Sequence, residues 1–107
     1  MVKHSLDMTF NALSDPTRRA IIARLALGET ATSDLAQPFA ISLPAVLKHL
    51  AVLEDAGLVR RKKRGRTAWC SLRPAPLKVA NEWMTQYQRF WDERLDALAA
   101  YLSRTNN

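Results

Sequence analysis

Apolar residues recur at helical intervals along most of this chain, and the period changes to two only once. Leu6, Phe10 and Leu13, spaced four and three apart, predict a short first helix. Asp15-Pro16 opens a second. A residue before proline avoids the α region, so Asp15 suits the N-cap and Pro16 the first helical position. Ile21, Ile22 and Leu25 supply the buried face of this helix, and Gly28 its stop. Thr32 is the expected N-cap of a third, short helix that carries Leu35 and Ala36 and ends by Phe39-Ala40. Ser42 is expected to cap a fourth helix, Leu43 to Ala56, with Val46, Leu50 and Leu53 on one face. Gly57 stands where a left-handed C′ residue is needed, and Leu58 where the C″ residue of a Schellman stop meets Leu53.

Beyond Leu58 the helical period is lost. Leu58–Lys63 and Arg66–Leu72 read as two strands around a tight turn at Arg64-Gly65. Ala68, Cys70 and Leu72 fall on one face of the second strand, and Thr67, Trp69 and Ser71 on the other. Pro74 and Pro76 end that strand. A last helix, roughly Leu77 to Leu102, contains no Gly or Pro. The expected fold is mainly α with a small β-hairpin, about five helices and a two-stranded hairpin, in one domain spanning residues 1–107.

Residues 32–56 carry the informative unit: a short helix, a brief turn, and a second helix opened by serine, the helix-turn-helix pattern. Leu35, Phe39, Ile41, Val46 and Leu50 are the positions that lock the two helices, Ala36 is small where they approach, and Ala40 occupies a turn that glycine would enter more easily. The outward face of the second helix is then Ser42, Leu43, Pro44, Leu47 and Lys48. In a helix-turn-helix such N-terminal residues reach base edges in the major groove. Lys48 reaches a phosphate or a guanine edge. The side chains of Leu43, Pro44 and Leu47 form no hydrogen bond to a base. They pack on thymine methyls or exclude water, so direct readout is expected to be sparse, with backbone contacts and DNA shape supplying much of the binding.

The charge distribution strengthens this reading. The net charge is +6, yet residues 1–57 sum to −1 and residues 74–107 to zero. Residues 58–73 alone hold seven basic side chains (Arg60, Arg61, Lys62, Lys63, Arg64, Arg66, Arg73) and no acidic one. So concentrated a charge implies a polyanionic partner. Arg64 and Arg66 flank the hairpin tip and are the candidates for phosphate contact, whereas Arg60, set well back, is expected to be solvated or salt-bridged.

Four segments together resemble one family. Ala12-Leu13-Ser14-Asp15-Pro16-Thr17-Arg18-Arg19, Ser42-Leu43-Pro44-Ala45-Val46-Leu47-Lys48-His49-Leu50, Leu53-Glu54-Asp55-Ala56-Gly57-Leu58-Val59 and Gly65-Arg66 are similar, in that order, to the ArsR/SmtB winged helix-turn-helix transcriptional regulators. The resemblance covers about residues 5–102. It implies a homodimeric repressor on a near-palindromic operator, with the recognition helix in the major groove and the hairpin as a wing along the backbone or the adjacent minor groove. Metal-sensing members carry Cys-x-Cys in the third helix or His and Asp ligands on the last. Here the third-helix region reads Thr32-Ser33-Asp34-Leu35-Ala36-Gln37, and the last helix has Asp92, Glu93 and Asp96 but no His. The chain resembles the branch that does not sense metals, and no metal or other cofactor is expected. Leu43 and Leu47 stand where many relatives have polar residues.

Leu77, Ala80, Met84, Tyr87, Trp91, Leu95, Leu98 and Leu102 line one face of the last helix, widened by Trp83, Phe90 and Tyr101. This is a large apolar area for a small domain to bury alone, and it favours a second subunit joined by Leu6 and Phe10 of the first helix. The alternative is an intramolecular core. Cys70 reads as a small buried hydrophobe, or as a redox switch if nearby arginines lower its thiol pKa. His49 contacts a phosphate or packs on the core, and His4 is expected in a mobile terminus. One cysteine and two histidines exclude an intramolecular disulfide and, within one subunit, a three-histidine zinc site. No nucleophile–base pair or glycine-rich phosphate loop is visible, so an enzyme is not expected. Without an apolar leader or a stretch of ~20 apolar residues, the expected location is the cytoplasm. The partners expected are double-stranded DNA and a second copy of the chain, with no membrane. Two rivals remain: a sensor of the same fold controlled by a metal or thiol reagent, and a winged helix that binds RNA or protein.

Overall fold

Asp15 and Ser42 cap their helices as the sequence predicts. In the computed structural model, which describes residues 2–105 and side chains from Leu6 onward, α1 is Val2–Leu13, α2 is Pro16–Ala26, β1 is Thr30–Ala31 and α3 is Thr32–Ala36. A 3-10 turn, Gln37–Phe39, follows, then α4 (Leu43–Asp55), β2 (Val59–Arg64), β3 (Thr67–Leu72) and α5 (Ala75–Thr105). The Asp15 carboxylate accepts the Arg18 N–H at 3.0 Å, and the Ser42 hydroxyl accepts the Ala45 N–H at 3.3 Å. Each satisfies an amide that the helix itself leaves unpaired, a contribution of about 1 kcal/mol.

The sequence between α1 and α2 has a second task. Arg18 Nε donates to the Ala12 carbonyl at 2.8 Å and Nη2 to that of Asn11 at 3.0 Å, while Arg19 Nη1 donates to that of Leu13 at 2.8 Å. Two guanidinium groups of α2 thus close the carbonyl end of α1, where the helix dipole favours positive charge. Among the described side chains of α1, Thr9 and Ala12 are fully buried, and the row Leu6, Phe10, Leu13 is half-buried. Small residues let α1 sit close to the core, and Leu6 and Phe10 flank it toward α5.

The segment Thr32–Phe39 meets α4 at 112°, within the range of a helix-turn-helix. Ala40 makes the corner at φ 52°, ψ 32°, left-handed geometry that costs a residue with a Cβ about 1 kcal/mol. The core joins α2, α3, α4 and the base of the hairpin: Ile21, Leu35, Val46, Leu50, Leu53, Leu58 and Cys70 are all fully buried. α4 ends in the expected Schellman stop, with Leu58 N–H donating to Leu53 O and Gly57 N–H to Glu54 O, both at 2.9 Å.

Several boundaries differ from the sequence reading. Thr32 does not cap α3. Ala31 holds the N-cap position without a side-chain bond, and the Thr32 hydroxyl donates instead to Ala68 O at 3.1 Å. Thr30–Ala31 form a strand too short to show a period, so the sheet has three strands in the order β1-β3-β2 rather than two. Thr30 pairs with Cys70 and Ala31 with Trp69. The hairpin turn is Gly65-Arg66, not Arg64-Gly65, because Arg64 pairs with Thr67. Gly65, with φ +63° at the first loop position, gives the arrangement of a type II′ loop. α5 begins at Ala75, since a proline in the first turn forfeits no helical hydrogen bond.

Exchanging glycine and alanine at the two positive-φ positions that flank α4, Ala40 and Gly57, tests this account. Gly57 has φ +75°, and an added Cβ would meet nothing closer than Pro76 Cγ at 3.5 Å, so the penalty for Gly57→Ala is in the backbone. That variant is expected to lose about 1 kcal/mol in urea unfolding, and Ala40→Gly to gain a smaller amount. Equal midpoints for all three proteins would contradict it.

Candidate nucleic-acid interface

α4 divides its residues sharply. Val46, Leu50 and Leu53 are fully buried, so the residues between them at the N-terminal end must face outward. Ser42, Leu43, Pro44, Leu47 and Lys48 are all exposed, Leu43 by 44% and Leu47 by 37%. His49 departs from this group. Its side chain is 24% exposed, and Nδ1 lies 3.8 Å from Asp15 Oδ2 and 3.5 Å from Arg18 Nη1. The structure thus groups five of the six α4 candidates on one face and turns the sixth toward the start of α2.

Asp15, Arg18 and His49 form a junction between α1, α2 and α4. The Arg18 N–H holds the Asp15 carboxyl below the ordinary carboxylate range; the charges of His49 and Arg18 act in the same direction, against partial burial. The sequence marks Asp15 as a cap but gives no sign that Arg18 reaches the carbonyls of α1 and His49 at once. That link is tertiary.

β2 distributes its basic side chains over both faces of the hairpin. Alternation puts Val59, Arg61 and Lys63 on one face and Arg60, Lys62 and Arg64 on the other. Arg61 Nε lies 2.7 Å from Glu54 Oε1, a charge contact rather than an aligned hydrogen bond, and that oxygen is shielded from solvent. The salt-bridged arginine at the hairpin base is therefore Arg61, while Arg60 is exposed. Arg64 is paired with Glu29 and lies 4.9 Å over the ring of Trp69. Arg66 sits in the loop itself and is exposed. Glu29 and Trp69 are the residues that sequence reasoning missed. An aromatic alternating with Thr67 and Ser71 on a polar strand face was the available signal for Trp69; Glu29, 35 residues from its partner, had none.

Cys70 is fully buried against Thr32, with Sγ 3.4 Å from Oγ1. Burial pushes its thiol up, and the Thr32 hydrogen bond and the charge of Arg61 only partly oppose this. A redox switch needs the opposite shift. Among the described residues no three His, Cys, Asp or Glu side chains come together as metal ligands. The side chain of His4 lies outside the described residues.

The last helix leaves the body of the protein. Ala80 is its last buried residue. Met84 and Tyr87 are each 47% exposed, Trp91 61%, Leu95 60% and Leu98 53%. Near its start α5 packs on α1, with Phe10 and Trp83 edge to face at 5.7 Å. The intramolecular alternative therefore holds for the beginning of the stripe and fails for its remainder. No single helix among the described residues is long and apolar enough to cross a bilayer.

A capped helix with an exposed face, set at a steep angle to a short helix and followed by a basic hairpin, defines a winged helix-turn-helix. Comparison with known proteins agrees. Residues 13–62 match the helix-turn-helix domain family. The HTH-type transcriptional regulator Rv2034 of Mycobacterium tuberculosis is 40% identical over 89% of this chain and 86% of its own length. The transcriptional repressor SdpR of Bacillus subtilis is 33% identical over 77% and 91%. Among solved structures, an ArsR family transcriptional regulator superposes with a TM-score of 0.77 at 39% identity, over 84% of this chain and 93% of that one. The homodimeric winged helix-turn-helix DNA-binding domain Mb0332 of Mycobacterium bovis gives a TM-score of 0.63 at 26% identity, over 88% and 84%. The chain belongs to the ArsR family of helix-turn-helix transcriptional regulators, which is not a class of enzymes.

The Asp15 junction carries a pH dependence. At neutral pH the carboxylate is ionised in the folded and unfolded chain, and the cap acts fully. As pH falls, the unfolded chain takes up its proton first, and the contribution is lost as pH passes through the lower native value. Asn caps helices about as well as Asp but does not titrate. Asp15→Asn is therefore expected to flatten the decline in stability between about pH 5 and pH 2, as measured by urea midpoints. An unaltered acid limb would show that Asp15 does not contribute to it.

Proposed function

We propose that the chain is a cytoplasmic homodimeric repressor that binds a near-palindromic operator, with residues 1–107 forming one DNA-binding domain whose first and last helices join the subunits. The observation that carries this reading is the placement of a +7 hairpin segment directly after a helix whose exposed face serves no core. In this reading Ser42, Leu43, Pro44, Leu47 and Lys48 enter the major groove, and Arg64 and Arg66 hold phosphates beside it. Arg64 exchanges Glu29 for a phosphate, so the wing arginine is kept ordered on Trp69 before DNA arrives. His49, turned to Asp15 and Arg18, fixes the helix rather than reading a base. Leu6, Phe10, Met84, Tyr87, Trp91, Leu95 and Leu98 form the subunit contact. It removes from water an apolar face that a monomer would expose along most of a 31-residue helix. Mb0332, described as homodimeric, supports the same assembly. Repression follows from occupancy: a bound dimer covers the DNA that a polymerase would need.

Two experiments test it. Replacing Arg64 and Arg66 together with Ala is expected to weaken binding to all duplexes. The slope of log affinity against log salt should fall by about 0.9 for each phosphate that the variant leaves unneutralised. An unchanged slope would remove the wing from the mechanism, and stronger binding to structured RNA than to duplex DNA would overturn the function. Trp91→Asp is expected to give monomers by sedimentation, because a carboxylate cannot be desolvated in an apolar contact. A persistent dimer would move the interface elsewhere.

A further inference from the structure

We infer that this protein reads its DNA through methyl groups: Leu43, Pro44 and Leu47 form an apolar contact surface for the C5 methyl of thymine in the major groove. The inference rests on the DNA-binding role proposed above and specifies the chemistry of recognition within it.

Elimination among the outward side chains at the start of α4 leads to this surface. α4 offers six side chains near its N-terminus. His49 is withdrawn, its Nδ1 facing Asp15 and Arg18 on the α2 side. The Ser42 oxygen accepts the Ala45 N–H, which ties the hydroxyl to the helix start and leaves its own proton for a phosphate or a base edge. Lys48 is a flexible point charge suited to a phosphate or a guanine edge. What remains is three apolar side chains, all exposed, and in a free protein such exposure is unfavourable. The charge of the following hairpin identifies the partner as a polyanion, so the apolar face must find an apolar feature on one. Among the base edges of the B-DNA major groove, the thymine methyl is the one apolar group. Leu43 and Leu47 are four apart and so neighbours on one helical face, and Pro44 stands beside them with no side-chain donor or acceptor. The same chemistry disfavours RNA, whose uracil lacks the methyl and whose A-form major groove is too deep and narrow for side chains to read.

The test uses duplexes. A binding site is first selected from a random DNA pool with the parent protein. Each thymine in the half-site is then replaced singly by deoxyuridine, which keeps every hydrogen-bonding group and lacks only the methyl. Deoxyuridine is expected to lower affinity about fourfold at each contacted position. Leu47→Ala, exposed in the fold and so without consequence for the core, is expected to lose the thymine–deoxyuridine difference at one position and keep it at the others. Placing 5-methylcytosine against cytosine at those positions separates the two sources of the methyl. A gain shows that the surface takes it from either base, and equal affinity restricts it to thymine; both support the methyl as ligand. Selected sites without thymine in the half-site, or equal affinity for thymine and deoxyuridine throughout, would overturn the inference while leaving DNA binding intact. Failure to bind any duplex, even in dilute salt, would overturn the inference and the proposed function together.

Discussion

The structure depends on the burial of one stripe of α4. Val46, Leu50 and Leu53 lie at the centre of the core and touch nothing but other parts of the same chain. Because α3 and the hairpin close over this stripe, the opposite face has no intramolecular partner. The helix is held at both ends, by the Ser42 hydroxyl and by the Gly57–Leu58 stop. A helix so held presents Ser42, Leu43, Pro44, Leu47 and Lys48 on its outward side. Functional geometry here is a by-product of core packing.

Charge is handled differently. Seven basic side chains in sixteen residues repel one another, and the fold sets two carboxylates against them. Glu54 meets Arg61 at the hairpin base, and Glu29 meets Arg64 near the tip. The Glu29–Arg64 pair is exposed and contributes little stability, whereas the Glu54 oxygen that faces Arg61 is shielded from solvent. The effect of the Glu29 pair is positional, since an arginine paired with an acid and stacked on Trp69 samples fewer conformations than one in solvent. The tip residue Arg66 lies outside both pairs.

The junction of Asp15, Arg18 and His49 joins these parts. Arg18 closes the end of α1 and touches the recognition helix, while α1 leans on α5 through Phe10 and Trp83. The helices proposed to pair subunits and the helix proposed to enter DNA are therefore connected by direct contacts within one protomer. Beside these polar contacts, Ala12 of α1 packs in the same buried cluster as Val46, Leu50 and Leu53 of α4.

Much of this was written in the sequence. Asp15-Pro16, Ser42 and Gly57-Leu58 are local signals, because caps and stops involve residues at most a few positions apart. The apolar stripes of α2, α4 and α5 follow from period alone, but that the α5 stripe stays bare beyond Ala80 is decided by the tertiary structure. What lay beyond the sequence is long-range pairing. Thr32 has the chemistry of a cap, yet Ala68, 36 residues away, claimed its hydroxyl. Two-residue β1 exists only because β3 offers it an edge. Glu29 opposite Arg64, and His49 turned inward instead of toward a groove, have no local correlate. Local backbone chemistry is decided by neighbours in the chain; the partner of a polar side chain is decided by which segments the burial of apolar surface brings together.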